Sequence, residues 1–235
     1  GGVISSNGTT TVTIHNSTLN NNSANGNGGV ISGATIVLEN AVLTNNSAFN
    51  GGAIYGDTNG LVNVSNSHFT GNNVSGNGSS IYASGALNVT DSTFASENVT
   101  GNATIFIKSN KKNIALANNN MTGDLLDIYN DGGLFVTPTD LVFGNATVDV
   151  FEKANLTALL TDDNGNIIGS STPVNGEVNG TNVTFVFNDT TKLFDGSYTP
   201  ETKGNYTISG NYTLANDCNV TDGILTVNAL PIWIK

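Results

Sequence analysis

Short apolar stretches recur through the first half of the chain at a nearly constant spacing. Isoleucines at intervals of 23 to 27 residues follow phrases that begin as GGVI and GGAI and decay towards residue 129; they are Ile4, Ile31, Ile54, Ile81, Ile105 and Ile128. Spacing this regular indicates an internal repeat of about 25 residues.

Each repeat contains further apolar columns. Two of them are two residues apart, the period of a β-strand, and comprise Val12, Ile36, Val62, Leu87 and Ile114 with Ile14, Leu38, Val64, Val89 and Leu116. Another column is Leu19, Leu43, Phe69, Phe94 and Met121. One such unit cannot bury its own apolar face, so consecutive units must stack. We therefore predict a right-handed parallel β-helix of about six short coils over residues 1–133.

A polar column follows the second strand of each repeat by two residues and comprises Asn16, Asn40, Asn66, Asp91 and Asn118. Asparagine tolerates the left-handed backbone conformation, and its amide can bond to an asparagine in the next coil. We expect this column to form the turns and to act as a structural ladder.

The second half of the chain has a different pattern. The repeat stops near Leu134, and the first proline, Pro138, follows. Alternating apolar runs then continue, with a hairpin signal at Asn164 and Gly165. About seven or eight short strands in about 100 residues are typical of a β-sandwich. We expect residues 134–235 to form an Ig-like β-sandwich, which makes the whole chain all-β.

The repeat phrases also carry a family resemblance. The glycine phrases at 1–4, 28–31 and 51–54, with FTGN at 69–72, resemble the GGA(I/L/V) and FxxN motifs of polymorphic outer-membrane-protein repeats. The phrases NSTLNNNSA and LTNNSA are similar to those of adhesin-like surface proteins of methanogenic archaea, and GSYTPETKGNYTISGNY resembles the last strands of bacterial Ig-like modules. The fourth copy departs with GSS, and later copies lose both glycines. The resemblance implies a secreted chain at the cell surface.

Charge narrows the range of partners. The net charge is −11, only 11% of residues are charged, and all basic residues are lysines. Binding to nucleic acid needs clustered positive charge, so we expect no nucleic-acid partner. No apolar run approaches the roughly 18 residues of a membrane span, so we expect no membrane insertion within this chain. The single cysteine, Cys218, excludes an internal disulfide.

One column has a composition that suits binding. If the six isoleucines point inward, their successors point outward, and four of these are aromatic: Tyr55, Tyr82, Phe106 and Tyr129. The residues before the isoleucines would also face outward, and they become polar at Thr104 and Asp127. An exposed aromatic stripe can stack sugar rings or take a partner's apolar surface. The alternative is that the second domain or a loop covers it.

Catalytic and metal-binding patterns are weak. The first domain has seven carboxylates with no obvious glycosidase pair: Glu39, Asp57, Asp91, Glu97, Asp124, Asp127 and Asp131. His15 and His68 fall in non-adjacent coils, and Lys108, Lys111 and Lys112 form a small cluster that we interpret as a solvated loop. The acidic phrase at 162–166 could bind calcium, although a plain hairpin turn fits it better. We expect no catalytic residues, no metal site and no cofactor.

These observations favour a non-enzymatic adhesin fragment that is extracellular, on the cell surface, and partnered with glycans or proteins of another cell. Nineteen Asn-x-Ser/Thr sequons suit a glycosylated exterior, although the repeat itself multiplies them. Two alternatives stay open. One is a β-helix polysaccharide lyase or hydrolase, whose mark would be convergent acids beside the aromatic stripe. The other is a purely structural stalk.

Overall fold

A computed structural model describes residues 1–95, 98–99, 103–123 and 126–230. Every regular element in these ranges is a β-strand. Within the same ranges there is no helix with the length and apolar character needed to cross a membrane.

Three parallel sheets form the first part of the molecule. The largest has eleven strands: Ile4–Ser5, Thr11–His15, Ile31–Glu39, Ile54–Ser65, Ile81–Ala83, Ala86–Thr90, Ile105–Lys108, Asn113–Ala117, Ile128–Asp131, Leu134–Phe135 and Ile168–Ser170. The second has five: Thr18–Asn20, Val42–Thr44, His68–Thr70, Thr93–Ala95 and Asn120–Thr122. The third has Ser47–Ala48, Asn73–Val74 and Asn98–Val99. The chain visits the sheets in turn, and this arrangement is a β-solenoid of about five turns.

The predicted apolar columns are confirmed as ladders. Ile4 pairs with Ile31, Ile31 with Ile54, and the column continues in register to Ile128. The isoleucines from Ile31 to Ile128 have no exposed surface. In the second sheet, Phe69 and Phe94 stack inside the solenoid with ring centroids 4.7 Å apart. The core therefore consists of side chains that repeat from coil to coil. We predicted about six coils, and the structure has about five turns.

The paired glycines turn the chain into the first sheet. Gly28 has a φ of 67°, in the left-handed region that glycine adopts without a steric penalty. A Cβ on Gly29 would lie 2.0 Å from the carbonyl oxygen of Gly52 in the next coil. The first glycine thus serves the turn, and the second allows the coils to approach.

Asparagines occupy two different kinds of position at the other turns. The expected ladder residues Asn16, Asn40, Asn66, Asp91 and Asn118 all have φ between 45° and 55°, and all are exposed. Of this set, Asn118 and Asp91 bond to each other, over 3.1 Å from Nδ2 to Oδ1.

The continuous buried ladder lies in another column, which comprises Asn22, Asn46 and Asn72. Asn46 Oδ1 accepts from the backbone N and Nδ2 of Asn22, at 3.0 and 2.9 Å. Its own Nδ2 donates to Asn72 Oδ1 and to the carbonyl oxygen of Leu19, both at 3.0 Å. Asn46 and Asn72 are fully buried, so their amides satisfy backbone groups that water cannot reach.

The second part of the chain is a nine-stranded sheet with Thr139–Phe143, Ala146–Asp149, Ala154–Asp162, Val174–Val178, Thr181–Asn188, Leu193–Tyr198, Gly204–Asn211, Cys218–Thr221 and Gly223–Asn228. The strand Thr181–Asn188 pairs with two different neighbours along its length. Thr181 to Phe185 pair with Val174–Val178, and Val186 to Asn188 pair with Leu193–Tyr198. The rings of Phe143 and Phe185 meet edge to face inside it, with centroids 5.2 Å apart.

A seam joins the two parts, and we use this name for the contacts of Ile168–Ser170 and Tyr212 with the last coil. Ile168 pairs with Ile128 and adds one more rung to the isoleucine column. Asn130 Nδ2 donates to the Tyr212 hydroxyl over 2.8 Å, and that hydroxyl donates to Ser170 Oγ over 2.8 Å. Burial raises the pKa of Tyr212 to about 12. The strand Ile168–Ser170, which ends the first sheet of the solenoid, therefore comes from the second part of the chain.

Replacing Asn46 with alanine should lower the free energy of unfolding by about 2 kcal/mol or more. The change removes the side-chain partner of the backbone N of Asn22 and of the carbonyl oxygen of Leu19, both part-buried, and each such group that loses its partner costs about 1–3 kcal/mol. Urea denaturation measures the change.

Asn40→Gly is the matched control, because glycine adopts the φ of 51° and the Asn40 side chain is exposed. Its effect should stay within about 0.5 kcal/mol. An equal loss in both variants would contradict the distinction between the buried ladder and the exposed turn column.

Candidate functional site

The four predicted aromatic residues form one ordered stack on the first sheet, which we call the aromatic column. Parallel pairing sets Tyr55, Tyr82, Phe106 and Tyr129 one above another. Successive ring centroids are 5.1, 5.2 and 5.3 Å apart, and the ring planes differ by 15°, 14° and 12°. Each ring thus lies nearly parallel to its neighbours, and the distance between rings follows the distance between consecutive coils.

Stacking uses most of the ring faces. Phe106 lies between two rings and is only 6% exposed, whereas the three tyrosines are half-buried. Burial raises the pKa of the Tyr82 and Tyr129 hydroxyls. What the interior of the column presents to a partner is therefore its ring edges and tyrosine hydroxyls. The expectation of a broad apolar stripe for sugar stacking does not apply to the interior rings, because their faces contact each other.

The aromatic column is closed at one end. The position after Tyr129 in register is Gly169, where a Cβ would lie 2.5 Å from ring atoms of Phe187. Phe187 fills that space and meets Tyr129 edge to face, with centroids 6.3 Å apart. The second part of the chain thus covers this end of the column. Such covering by the second domain was the alternative to an exposed stripe.

The other end of the column is different. The position before Tyr55 in register is Ser32, and the one before that is Ser5. Ser5 is exposed and Ser32 is half-buried, and neither has a ring. The outer face of Tyr55 therefore has no aromatic neighbour among the described residues.

The column of residues before the isoleucines does not face outward as we expected. Val30, Ala53 and Ser80 have no exposed surface, and Thr104 is 6% exposed. The reason is a corner in the backbone. The N–H groups of both Ala53 and Ile54 donate to the same carbonyl oxygen, that of Ser80, so the alternation of a strand begins only at the isoleucine.

A groove whose lining residues are mostly polar lies beside the aromatic column, and we call it the polar groove. It has a volume of about 460 Å³ and is lined by Thr58, Ser84, Lys108, Ser109, Asn110 and Asp131. Lys108 forms an ion pair with Asp131, and Ser171 Oγ donates to the other oxygen of that carboxylate over 2.7 Å. Burial alone would raise the pKa of Asp131, but these two hydrogen bonds hold it below its ordinary value. The groove thus offers paired donors and acceptors with no local excess of charge.

Two carboxylates lie near the seam, Asp127 half-buried and Asp162 buried. Asp127 Oδ2 accepts from the backbone N of Ile167 over 2.8 Å, yet burial raises its pKa to about 6, with a contribution from the charge of Asp162. Burial also raises the pKa of Asp162, whose oxygens accept from the backbone N–H groups of Asn164 and Asn166 and from Asn166 Nδ2.

The acidic phrase at 162–166 acts as a cap on the solenoid. Asn166 Oδ1 accepts from the backbone N of Met121 over 3.2 Å, and its Nδ2 donates to the carbonyl oxygen of Asn119 over 2.9 Å. Asn166 thus bonds to backbone groups of the last coil, as the asparagines of the buried ladder bond to backbone groups of earlier coils. The Asp162 carboxylate is already bonded within its own turn, so its oxygens hold the hairpin in place.

The remaining candidate residues do not converge. His15 faces Glu39 at 2.9 Å, and His68 lies on the second sheet. Among the described residues there is no group of three or more His, Cys, Asp or Glu side chains that could hold a metal ion. Glu97 and Asp124 lie outside the described residues.

The sequence contained signals for some of what we missed. Asn22, Asn46 and Asn72 each follow an apolar residue of the second sheet by three positions, so the buried ladder is visible in the repeat alignment. Lys108 and Asp131 are 23 residues apart, one repeat interval, and this places opposite charges in register. The capping roles of Asn166 and Phe187 have no such signal.

The pH dependence of stability should carry the signature of Asp127. Its folded pKa of about 6 exceeds the ordinary 3.8, so its protonated form favours the fold. This contribution is fully present below the unfolded pKa and is lost as the pH rises through about 6. Between about pH 4 and about pH 7, stability should therefore fall more in the wild type than in Asp127→Asn, which keeps an acceptor for Ile167.

Denaturant unfolding at several pH values measures this difference. Asp163→Asn is the control, because Asp163 is exposed one residue from the seam acid Asp162. Parallel pH profiles for the wild type and Asp127→Asn would exclude the Asp127 carboxyl as the source.

Comparison with known proteins gives little further information. No known protein family matches the sequence, and no curated protein does. Among solved structures, an internalin-like protein of Listeria monocytogenes has 13% sequence identity and a TM-score of 0.26, over 83% of this chain and 72% of that chain. The fold described above rests on the strand registers of this chain itself.

Proposed function

We propose that this chain is part of a non-enzymatic adhesin on the cell surface that attaches to glycans or proteins of another cell. The observation that carries the proposal is the aromatic column with its adjacent polar groove. Ring edges, tyrosine hydroxyls and the Lys108–Asp131 pair lie side by side on one sheet. This mixture of aromatic and hydrogen-bonding groups suits a ligand that has both apolar patches and many hydroxyls.

The solenoid suits weak, repeated contacts. The rings are held at 5.1–5.3 Å by the backbone register, so little ordering is needed when a ligand binds. Repeated contacts on a stiff support gain strength through multivalency. A protein with few charged residues and a surface rich in hydroxyl and amide groups is consistent with attachment to uncharged glycans.

Several finer elements belong to the same proposal. They are the right-handed winding, the Ig-like character of the nine-stranded part, the kinship with archaeal adhesin-like proteins and the extracellular location. Glycosylation is supported by exposed sequon asparagines, which include Asn145, Asn155, Asn182, Asn205 and Asn211. These lie on the second part, away from the aromatic column.

The two alternatives make different demands. An enzyme needs acids that are free to reach a substrate. Among the described residues, the carboxyl groups with a raised pKa are those of Asp127 and Asp162, and their oxygens accept hydrogen bonds from neighbouring residues of the chain. A stalk needs no open binding surface, and the covering of Tyr129 by Phe187 favours it at that end of the column.

Binding to a glycan array and to whole cells tests the proposal. Tyr82→Ala should weaken binding by about tenfold or more, because it removes an exposed edge and a hydroxyl in the middle of the column. Tyr82→Phe keeps the stack and removes one hydroxyl, so it should weaken binding several-fold, as expected for about 1 kcal/mol.

His68→Ala, on the second sheet, is the control and should bind like the wild type. Saturable binding that survives both Tyr82 variants would move the adhesive surface elsewhere. A folded wild-type protein that binds neither array nor cells would favour the stalk.

A further inference from the structure

We infer that the aromatic column is completed by its ligand: a neutral pyranose ring of a glycan stacks on the outer face of Tyr55, above Ser32. This inference rests on the proposed function and names the ligand class and the contact. It differs from binding along the edges of the column, because only one ring face is involved.

The geometry of the column singles out Tyr55. The interior rings use both faces in stacking, and Phe187 closes the far end against Tyr129. Tyr55 stacks on Tyr82 through one face, with centroids 5.1 Å apart. Its other face points along the column towards Ser32, its partner in register in the preceding coil. Tyr55 is thus the ring that can accept a further ring at the same spacing.

The preceding coils leave room for that ring. Ser32 and Ser5 continue the aromatic column in register but replace rings with short side chains. Each coil in the stack accommodates one ring per step of about 5 Å, so the levels of Ser32 and Ser5 can hold a ring that the chain does not supply. Ser5 is exposed, which opens this space to solvent.

The chemistry of the space favours a sugar over an aromatic side chain. A pyranose has an apolar C–H face that can lie on the Tyr55 ring and a rim of hydroxyls that can bond to the hydroxyls of Ser32 and Ser5. An aromatic side chain from a partner would leave these serine hydroxyls without ligand bonds. Asp57 lies two residues beyond Tyr55 and the chain has a net charge of −11, so a neutral sugar is favoured over a uronate.

Saturation-transfer NMR with a panel of neutral methyl pyranosides and methyl glucuronide tests the inference directly. Irradiation of the aromatic protons should transfer saturation to the C–H face of at least one neutral pyranoside. Ser32→Tyr adds the next ring of the stack from the chain itself, so it should reduce this transfer by about fivefold or more while the protein still unfolds cooperatively. Ser32→Ala keeps the space and removes one hydroxyl, so its loss should be smaller.

Thr18→Tyr is the matched control, because it adds the same ring at an exposed position on the second sheet and should leave the transfer unchanged. Tyr55→Leu removes the ring platform and serves if Ser32→Tyr does not fold. Undiminished transfer in both Ser32→Tyr and Tyr55→Leu would overturn the inference, as would a wild-type protein that gives no transfer to any neutral pyranoside.

The same variants separate this inference from the proposed function. Cell binding that is lost in Tyr82→Ala but retained in Ser32→Tyr would keep the adhesin and place the contact on the edges of the column. A wild-type protein that binds no cells and no glycans would contradict the adhesin as well.

Discussion

Parallel hydrogen bonding between consecutive coils is the constraint on which the rest of the structure depends. It places each residue of a coil directly above its counterpart, so one substitution pattern is repeated as a ladder through the solenoid. Inside, this register stacks Ile31, Ile54 and Ile81 without exposed surface. At the turns it brings Asn46 within reach of both Asn22 and Asn72. Outside, the same register assembles the aromatic column.

The register also limits what the aromatic column can do. Rings about 5 Å apart on successive strands cover each other's faces, and Phe106 is almost inaccessible to solvent as a result. Recognition is then left to edges and hydroxyls along the column and to one face at its end. The polar groove extends this surface, because Lys108 and Asp131 come from adjacent coils and neutralise each other beside the tyrosines.

The second part of the chain solves a problem that every solenoid has at its end. A last coil exposes backbone groups and an apolar cross-section. Here Ile168 continues the isoleucine column, Asn166 bonds to backbone groups of the last coil, and Phe187 covers the last ring of the aromatic column. The cap covers Asp162 and partly covers Asp127, and this burial raises the pKa of both carboxyl groups.

The repeat alone determined the solenoid, the ladder of inward isoleucines and the stacking order of Tyr55, Tyr82, Phe106 and Tyr129, because a fixed period and a fixed register carry the same information. The repeat also contained the positions of the buried asparagine ladder. We had predicted the ladder in the neighbouring column, whose residues are exposed. Only the tertiary structure decided which ring faces stay open, that Phe187 closes one end, and that residues 162–170 cap the last coil. These contacts join positions that are separated by irregular intervals and lie outside the repeat. No local period records them, and they form only when the two parts of the chain pack together.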